Sequence, residues 1–352
     1  MSSLSIRVHT EIDDELRGDW LHLASRLDAP PWLAPAWYDA WMEAFGADRP
    51  HIVAAYRAGR LAAVVALHRD GPVIRSMSNY HTPAFDVLGQ DVAAVAAVAD
   101  AAVRSSSGRL ELRFLPDDGA MAAAGQAAAV RSGRRCLVRI VERSPVVDTS
   151  GAWATYEAGL RRGLRQELRR RRRRLEELGG LQLTVEDGHE RLNSLLDEGF
   201  AVEGSGWKGR RGTAMASADR TRRFYERVAH IAATAGVLRL AFLRLDGRAL
   251  AFDLAIEHGR VHYLLKTGYL EEVRKHGPGM LLRYAMLRRA FESDITSYAF
   301  LGHNDGWKLE WATETAPQLL LQVMSTGPLG LIEIGAFRFA RPLVLRALGR
   351  AT

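Results

Sequence analysis

Gly236–Lys266 reads GVLRLAFLRLDGRALAFDLAIEHGRVHYLLK, and this stretch decides the fold. Its apolar residues come in runs of strand length, rich in Leu, Val, Phe and Ile, interrupted only at Asp246-Gly247 and His258-Gly259. Both dipeptides suit the positive-φ positions of tight hairpins, so the segment is expected to form three antiparallel strands. The same grammar occurs upstream. His51–His68, HIVAAYRAGRLAAVVALH, reads as two strands about Ala58-Gly59, followed by a third apolar stretch at Pro72–Met77. The first turns of the two copies share a GRxxA core, Gly59–Ala63 and Gly247–Ala251. Five residues make a poor repeat alone; with the same strand order they favour two domains of related plan.

Working outward, Trp37, Trp41 and Phe45 recur at helical spacing and predict one buried helix face. Alanine-rich residues 91–104 and 117–130 predict helices flanking the strand RLELRFL at 109–115. Helix and strand alternate in both halves. The expected fold is α/β (α+β), two tandem domains over 1–150 and 151–352, each a mixed, mostly antiparallel sheet flanked by helices. A length of 352 residues fits that count.

Composition narrows the class. Hydrophobic residues at 47% and charged residues at 25% exclude a disordered, collagen-like or coiled-coil chain. A single cysteine, Cys136, excludes an internal disulfide and a multi-cysteine zinc site, and its apolar setting, CLVRIV, suits a core residue better than a nucleophile. Eleven histidines lack ligand spacing, so no metal is expected. Neither a membrane-length apolar run nor a basic-then-apolar leader is present, and a cytoplasmic location is expected. HExxH, Walker and GxSxG patterns are missing, which leaves metalloprotease, NTPase and hydrolase readings without their signatures.

The net charge is +7, yet only four of the 48 basic residues are lysine: Lys208, Lys266, Lys275 and Lys308. In a chain so shifted to arginine, lysine is expected to persist where a compact ammonium matters, which draws attention to 204–311. Trp153–Gly180, WATYEAGLRRGLRQELRRRRRRLEELGG, places Leu160, Leu164, Leu168, Leu175 and Leu178 on one stripe of a helix expected over 153–178. Nine arginines between Arg161 and Arg174 fill the rest of its circumference. Two readings stand: a solvated linker paired with Glu167, Glu176 and Glu177, or a field for an anionic partner such as nucleotide phosphates, tRNA or a cofactor polyphosphate.

Thr267–Glu292, TGYLEEVRKHGPGMLLRYAMLRRAFE, carries the chemistry. A loop with Arg274, Lys275 and His276 meets Gly277-Pro278-Gly279, which opens a helix with Met280, Tyr284, Leu287 and Phe291 on its buried face. Glycine lets backbone approach a ligand, and proline fits a first-turn position that needs no N–H. The free N–H groups and dipole of that helix start, beside two cations, suit a pyrophosphate; simple helix punctuation is the alternative.

RKHGPG resembles the acyl-CoA pyrophosphate loop, RxxGxG/A, of the GNAT acyltransferase superfamily, with Arg274, Gly277 and Gly279 at the marked positions. The wider order EGSGWKGRRGTAM (203–215), LDGRALAFDLAI (245–256), YLLKTGYLEEVRKHGPGMLL (263–282) and YAFLGHNDGWKLEW (298–311) resembles the CelD/BcsL, cellulose-biosynthesis type acetyltransferases, relatives of the FemABX peptidoglycan aminoacyltransferases. The resemblance covers 150–312 strongly and the N-terminal half in outline. The chain departs from the pattern at Gly277-Pro278-Gly279, usually SPG, and at Leu270, usually aspartate.

The resemblance implies two GNAT-like domains and direct transfer of an acyl group from acyl-CoA, such as acetyl-CoA, to an amine or hydroxyl of a small-molecule or saccharide acceptor. It equally implies an alternative FemABX-type donor, aminoacyl-tRNA, with Arg161–Arg174 as its contact. Arg274, Lys275, Gly277, Gly279 and Met280 would hold the donor. Lys308, in GWKLEW, resembles the lysine of the YKxxW/F motif and would stabilise an oxyanion or carboxylate, or stand as a plain surface lysine. Lys266 and Tyr269 would reach donor or acceptor, Tyr269 as proton donor to the thiolate or as a packing residue. His303 with Asp305 would supply a general base or only a polar turn. Asp253 is a second carboxylate, or an exposed strand residue. Trp207 and Lys208 sit in a glycine-rich cationic loop suited to closing over a ligand, and Asn79, Tyr80 and His81 in a polar loop suited to an acceptor. A third class, an inactive GNAT-fold nucleic-acid-binding or scaffold protein, has only charge in its favour, without the interleaved aromatics of a single-strand platform. The apolar stretch at 319–349 is expected to pack on its domain or contact a partner or membrane surface.

Overall fold

The structure, a computed structural model, describes residues 3–46, 49–205 and 219–325. Trp207, Lys208 and the apolar stretch from Thr326 onward lie outside the described residues. The chain divides into two compact units: Met1–Tyr38, Gly46–Glu142 and Pro317–Thr352 form unit 1, and Asp39–Phe45 with Arg143–Ala316 form unit 2.

Unit 1 runs β1 (Leu4–His9), α1 (Asp14–Arg26), the start of α2 (Pro35–Phe45), β2 (Pro50–Arg57), β3 (Arg60–Asp70), β4 (Val73–Ser76), β5 (Leu88–Gly89), α3 (Val92–Ser105), β6 (Leu110–Pro116) and α4 (Ala120–Arg131). β1, β2, β3 and β4 pair antiparallel in sequence order, and β4 then pairs parallel with β6 through Ile74↔Leu110. The late strand β13 (Glu314–Val323) adds antiparallel to β6. Aromatic burial anchors this unit: Trp20, Trp37 and Tyr38 are nearly inaccessible, and the Trp20 indole donates to the Leu33 carbonyl at 2.8 Å.

Unit 2 repeats the plan. Its elements are the end of β7 (Cys136–Asp148), α5 (Trp153–Gly159), α6 (Arg162–Glu176), β8 (Leu181–Glu186), α7 (Leu192–Gly204), α8 (Asp219–Thr234), β9 (Leu238–Leu245), β10 (Arg248–His258), β11 (Val261–Tyr269), a 3₁₀ turn (Glu271–His276), α9 (Pro278–Phe291), β12 (Ser297–Ala299) and α10 (Gly306–Leu309). β8 to β11 pair antiparallel in order, β11 pairs parallel with β12, and β12 pairs antiparallel with the end of β7. The two-part α/β architecture expected from the sequence is present, and the short GRxxA repeat proves to be one structural device. Ala58 and Gly59 take φ of +50° and +78°, Asp246 and Gly247 +46° and +82°. In each copy the third residue past the turn glycine, Ala62 or Leu250, is an extra residue that the partner strand skips, a β-bulge at the same place.

Three expectations are corrected. The second hairpin turns at Gly259-Arg260, with φ of +58° and +62°, because His258 still pairs with Val261. The helix expected over 153–178 is two: Leu160 and Arg161 are extended, with ψ of 145° and 132°, and separate α5 from α6. Leu160, Leu164, Leu168 and Leu175 are buried, but Leu178 lies past the helix end and is 59% exposed. Finally, α9 buries Leu281, Leu282, Arg283, Met286, Leu287 and Ala290, whereas Met280, Tyr284 and Phe291 are only partly buried, with Tyr284 and Phe291 packed on Trp153. No helix among the described residues is long and apolar enough to cross a membrane. Cys136 is partly buried, which raises its thiol pKa.

Candidate active site

β11 and β12 stay paired only from Val261↔Ser297 to Tyr263↔Ala299. β11 continues to Tyr269, whereas the chain after β12 bends through Leu301 and Gly302, at φ +53° and +60°, into α10. Just past the paired residues β11 carries one extra residue, Leu265, against β10. A cleft of about 390 Å³ is lined by the far end of β11 (Thr267, Gly268, Tyr269), Glu203 of α7, the start of α9 (Gly277 to Met280, Arg283), Trp307, Glu310 and Trp311, and two arginines, Arg171 and Arg274.

The cleft is charged oppositely in its parts. At one side Gly277 adopts φ +61°, ψ 46°, closing the 3₁₀ turn with its N–H on the Arg274 carbonyl at 2.9 Å and starting α9 with no side-chain cap. Pro278 occupies the first turn, where its missing N–H costs nothing. A helix start left uncapped presents N–H groups and a partial positive charge to an anion. The Arg171 guanidinium stands against it, so close that a Cβ on Gly277 would lie 2.2 Å from its Nη1. Arg171 is held there by Glu167, whose Oε1 accepts from Nε at 2.5 Å. α6 is fastened to the cleft at its other end too: Arg161 pairs with Glu310 at 2.5 Å, and the Tyr156 hydroxyl from α5 donates to the Trp311 carbonyl at 2.7 Å.

At the other side lies an acid. α7 presses so closely on β11 that a Cβ on Gly268 would stand 2.6 Å from the Glu203 Cα; only glycine permits the approach. The Glu203 side chain is fully buried, 3.7 Å from the Lys266 ammonium, which itself sits 5.0 Å above the Tyr225 ring. Burial, and then the Glu203 charge, push the Tyr225 hydroxyl pKa upward, so it stays protonated. Beneath the cleft, buried Arg283 grips Asp253 with two 2.9 Å contacts and also donates to Thr267 and the Tyr298 hydroxyl. Burial is the largest influence and works against the guanidinium, but the Asp253 charge, the Tyr298 hydroxyl and the hydrogen bonds to both together outweigh it and hold Arg283 above its ordinary pKa. Asp253 is therefore no exposed strand residue; it is fully buried as the partner of Arg283.

Of the residues singled out in the sequence, Tyr269, Arg274, Gly277, Gly279 and Met280 line the cleft; Lys266 stands behind Glu203, and Lys275 is exposed outside the lining. Lys308 serves instead to close a turn. Its ammonium donates to the Leu301 and His303 carbonyls at 2.8 and 2.9 Å and lies 3.3 Å from the Asp305 carboxylate. His303 and Asp305 belong to that same polar turn, the Asp305 N–H on the His303 carbonyl at 2.8 Å, and neither lines the cleft. Asn79, Tyr80 and His81 lie in unit 1, where the Asn79 side chain accepts from the His81 N–H at 2.9 Å and Tyr80 packs edge-on to Phe114. Sequence reasoning missed Glu203, Arg171 as an individual, Arg283, Thr267, Trp307 and Trp311. Among the described residues no cluster of acids, histidines and cysteine could hold a metal.

Unit 2 is thus an α/β unit whose parallel strands splay over a cleft, with an uncapped, glycine-started helix beside it. Residues 162–309 match the family model described as an acetyltransferase (GNAT) domain, and the protein is an acyltransferase. Three solved structures share the fold at low identity. The C-terminal domain (DUF2156) of a candidate lysylphosphatidylglycerol synthetase from Agrobacterium fabrum has a TM-score of 0.56 at 13% identity, over 91% of this chain and 95% of that one. A structure of FemX gives 0.54 at 12%, over 93% and 99%. L-PGS from Bacillus licheniformis gives 0.52 at 14%, over 90% and 97%. No curated protein sequence matches the chain.

Proposed function

We propose that unit 2 transfers an acyl group from an acyl-CoA thioester directly to an acceptor, with the donor's pyrophosphate at the Gly277–Met280 helix start between Arg171 and Arg274. One observation carries this reading: α9 begins uncapped at a left-handed glycine, and the chain supplies a guanidinium there in place of a capping carboxylate. The donor's acyl end would then extend past Tyr269 toward the part of the cleft lined by Thr267 and Glu203. Holding both reactants in one cleft lowers the entropic part of the barrier, and the fixed arginine and helix charges need no rearrangement when the donor arrives. The acceptor, on this reading, is a small molecule or saccharide. Thermal melting and calorimetry with CoA, acetyl-CoA and longer acyl-CoAs test it. A donor at ~100-fold excess over its Kd is expected to stabilise the fold by about 2.7 kcal/mol. Melting and calorimetry both blank for every CoA species would remove the reading.

A second reading takes aminoacyl-tRNA as donor. It is favoured by Arg162, Arg169 and Arg174, which are exposed on the same helix that brings Arg171 to the cleft. It requires tRNA binding that weakens steeply with salt and with replacement of those three arginines. Binding indifferent to both would discard it.

A further inference from the structure

Under α9 the sheet of unit 2 carries polar side chains where apolar ones would ordinarily pack. β10, β11 and β12 set Glu257, His262 and Tyr298 in one row, Glu257 opposite His262 and His262 opposite Tyr298. Asp253 and Thr267 form a second opposed pair nearer the cleft, which Thr267 lines. α9 grips both rows with arginine. Arg283 binds Asp253, Thr267 and the Tyr298 hydroxyl; Arg289 binds Glu257 at 2.5 Å, and Arg239 of β9 holds the same carboxylate at 2.7 Å. His262 joins the two grips. Its Nδ1 meets Glu257 at 3.0 Å and its ring lies flat on that of Tyr298, with centroids 4.4 Å apart and planes at 20°. It is fully buried, and no hydrogen-bond partner among the described residues reaches its Nε2. A carboxylate at Nδ1 fixes the proton there and leaves a lone pair at Nε2. Burial, outweighing the Glu257 hydrogen bond and charge, lowers the His262 pKa, so the ring is neutral at neutral pH.

We infer that neutral His262 is a positioning residue of the donor site: it completes the seam that seats α9, and with it the Gly277 helix start, on the sheet, and its protonation in mild acid loosens that seat. The inference rests on the acyl-CoA reading above, which puts the donor at the start of α9. The groups that face His262 are Glu257 and Asp253 on β10, Arg283 on α9 and the uncharged Tyr298 on β12, with Arg289 of α9 and Arg239 of β9 reaching it through Glu257. Three guanidiniums thus already meet two carboxylates, Glu257 and Asp253. An imidazolium would add a fourth cation, with an Nε2–H that no described residue accepts and with Arg283, a tie of α9, repelling it. Loosening α9 relieves this, because the histidine then reaches water and takes its ordinary pKa. Seated α9 holds that pKa low and unseated α9 releases it, so seating is favoured fully above about pH 6.5 and progressively less below it.

The test follows the helix and the donor separately. Hydrogen exchange of the α9 amides in wild type, corrected for the intrinsic pH dependence of exchange, is expected to speed up by about 10-fold from pH 7.5 to pH 5.5, while α4 of unit 1 does not respond. His262→Asn keeps a donor for Glu257 but cannot take up a proton, and its α9 is expected to exchange at one corrected rate throughout. CoA affinity, by calorimetry over the same range, is expected to fall by about 10-fold more in wild type than in the variant. The variant serves as reference because the phosphates of CoA titrate in that range too. A histidine with a merely structural role would change affinity equally at every pH and leave the two curves parallel. Parallel curves, or wild-type α9 exchange that ignores pH, overturn the assignment. CoA that fails to bind at any pH strikes the donor reading instead, and the exchange of α9 in wild type and variant still decides whether His262 governs its seat. Should His262→Asn melt early, His262→Gln replaces it, and if both do, the wild-type exchange profile decides alone.

Discussion

The two units use the same hairpin and the same bulge, and each carries a helix between the two strands of its parallel pair, α3 between β4 and β6 and α9 between β11 and β12; they differ at the start of that helix. In unit 1, α3 is capped by Asp91, whose Oδ1 accepts from the Ala94 N–H at 2.9 Å while Arg57 grips the same carboxylate. In unit 2, α9 starts at Gly277 with no acid, and the arginine, Arg171, is already in place. Unit 1 fills its helix start with its own side chain; unit 2 leaves the corresponding start uncapped, which is where the proposed reading puts the donor's pyrophosphate. A duplicated fold can thus divide labour by the presence of a single carboxylate. The helices also differ in what they bury, since α3 covers its core with Ala and Val, whereas α9 buries the charge of Arg283.

That last contrast yields the largest expected effect. Asp253→Ala leaves Arg283 as a buried, uncompensated charge, which costs ~3–5 kcal/mol, and urea or thermal unfolding will register it; a loss under 1 kcal/mol would show that Tyr298 and Thr267 suffice to hold the guanidinium. Next comes an attempt to make unit 2 resemble unit 1. Gly277→Asp sets a carboxylate against Arg171 and is expected to weaken CoA binding by about 100-fold, near 2.7 kcal/mol, because the anion site is then occupied. The left-handed φ adds strain of ~1 kcal/mol, modest since Asp tolerates that region. CoA bound as tightly as before would move the phosphate site elsewhere. Smaller again is Arg171→Met, the loss of one charge-assisted contact, expected to weaken CoA binding about 10-fold, with Arg173→Met as a silent control because Arg173 is 74% exposed and pairs with Glu177.

The fold was legible because hairpin chemistry is local: Ala58-Gly59, Asp246-Gly247 and the GRxxA cores announce the turns that the structure contains. The start of α9 was legible for the same reason, since Gly277-Pro278-Gly279 is a helix start written in three consecutive residues. Arg171 was hidden among identical neighbours, although a sign of it existed. The leucine stripe jumps from Leu168 to Leu175, and Arg171 is the residue that falls on the stripe in the gap, three after one leucine and four before the next. Glu203 had no such sign, because its place in the cleft wall depends on Gly268, Lys266 and Tyr225 meeting it from other elements. Lys308 illustrates the converse: a lysine in a suggestive motif says nothing about the carbonyls of a turn five to seven residues upstream.

The mildest expected effect isolates the cap of unit 1. Asp91→Ala removes one N-cap and is expected to cost about 1 kcal/mol while leaving CoA affinity unchanged, because that acid belongs to the unit without the cleft. The same carboxylate predicts a pH window. The hydrogen bond from Arg57, then that from the Ala94 N–H, lower the Asp91 pKa to about 2. An unfolded aspartate titrates near ~3.9, so the contribution is complete above that value and disappears as pH falls from about 4 to about 2. Exposure of the Arg57 pair to solvent keeps it small. Wild type and Asp91→Ala should therefore differ in stability at pH 6 and converge near pH 2, and curves that stay parallel through that range would mean that the α3 cap owes nothing to the ionised acid.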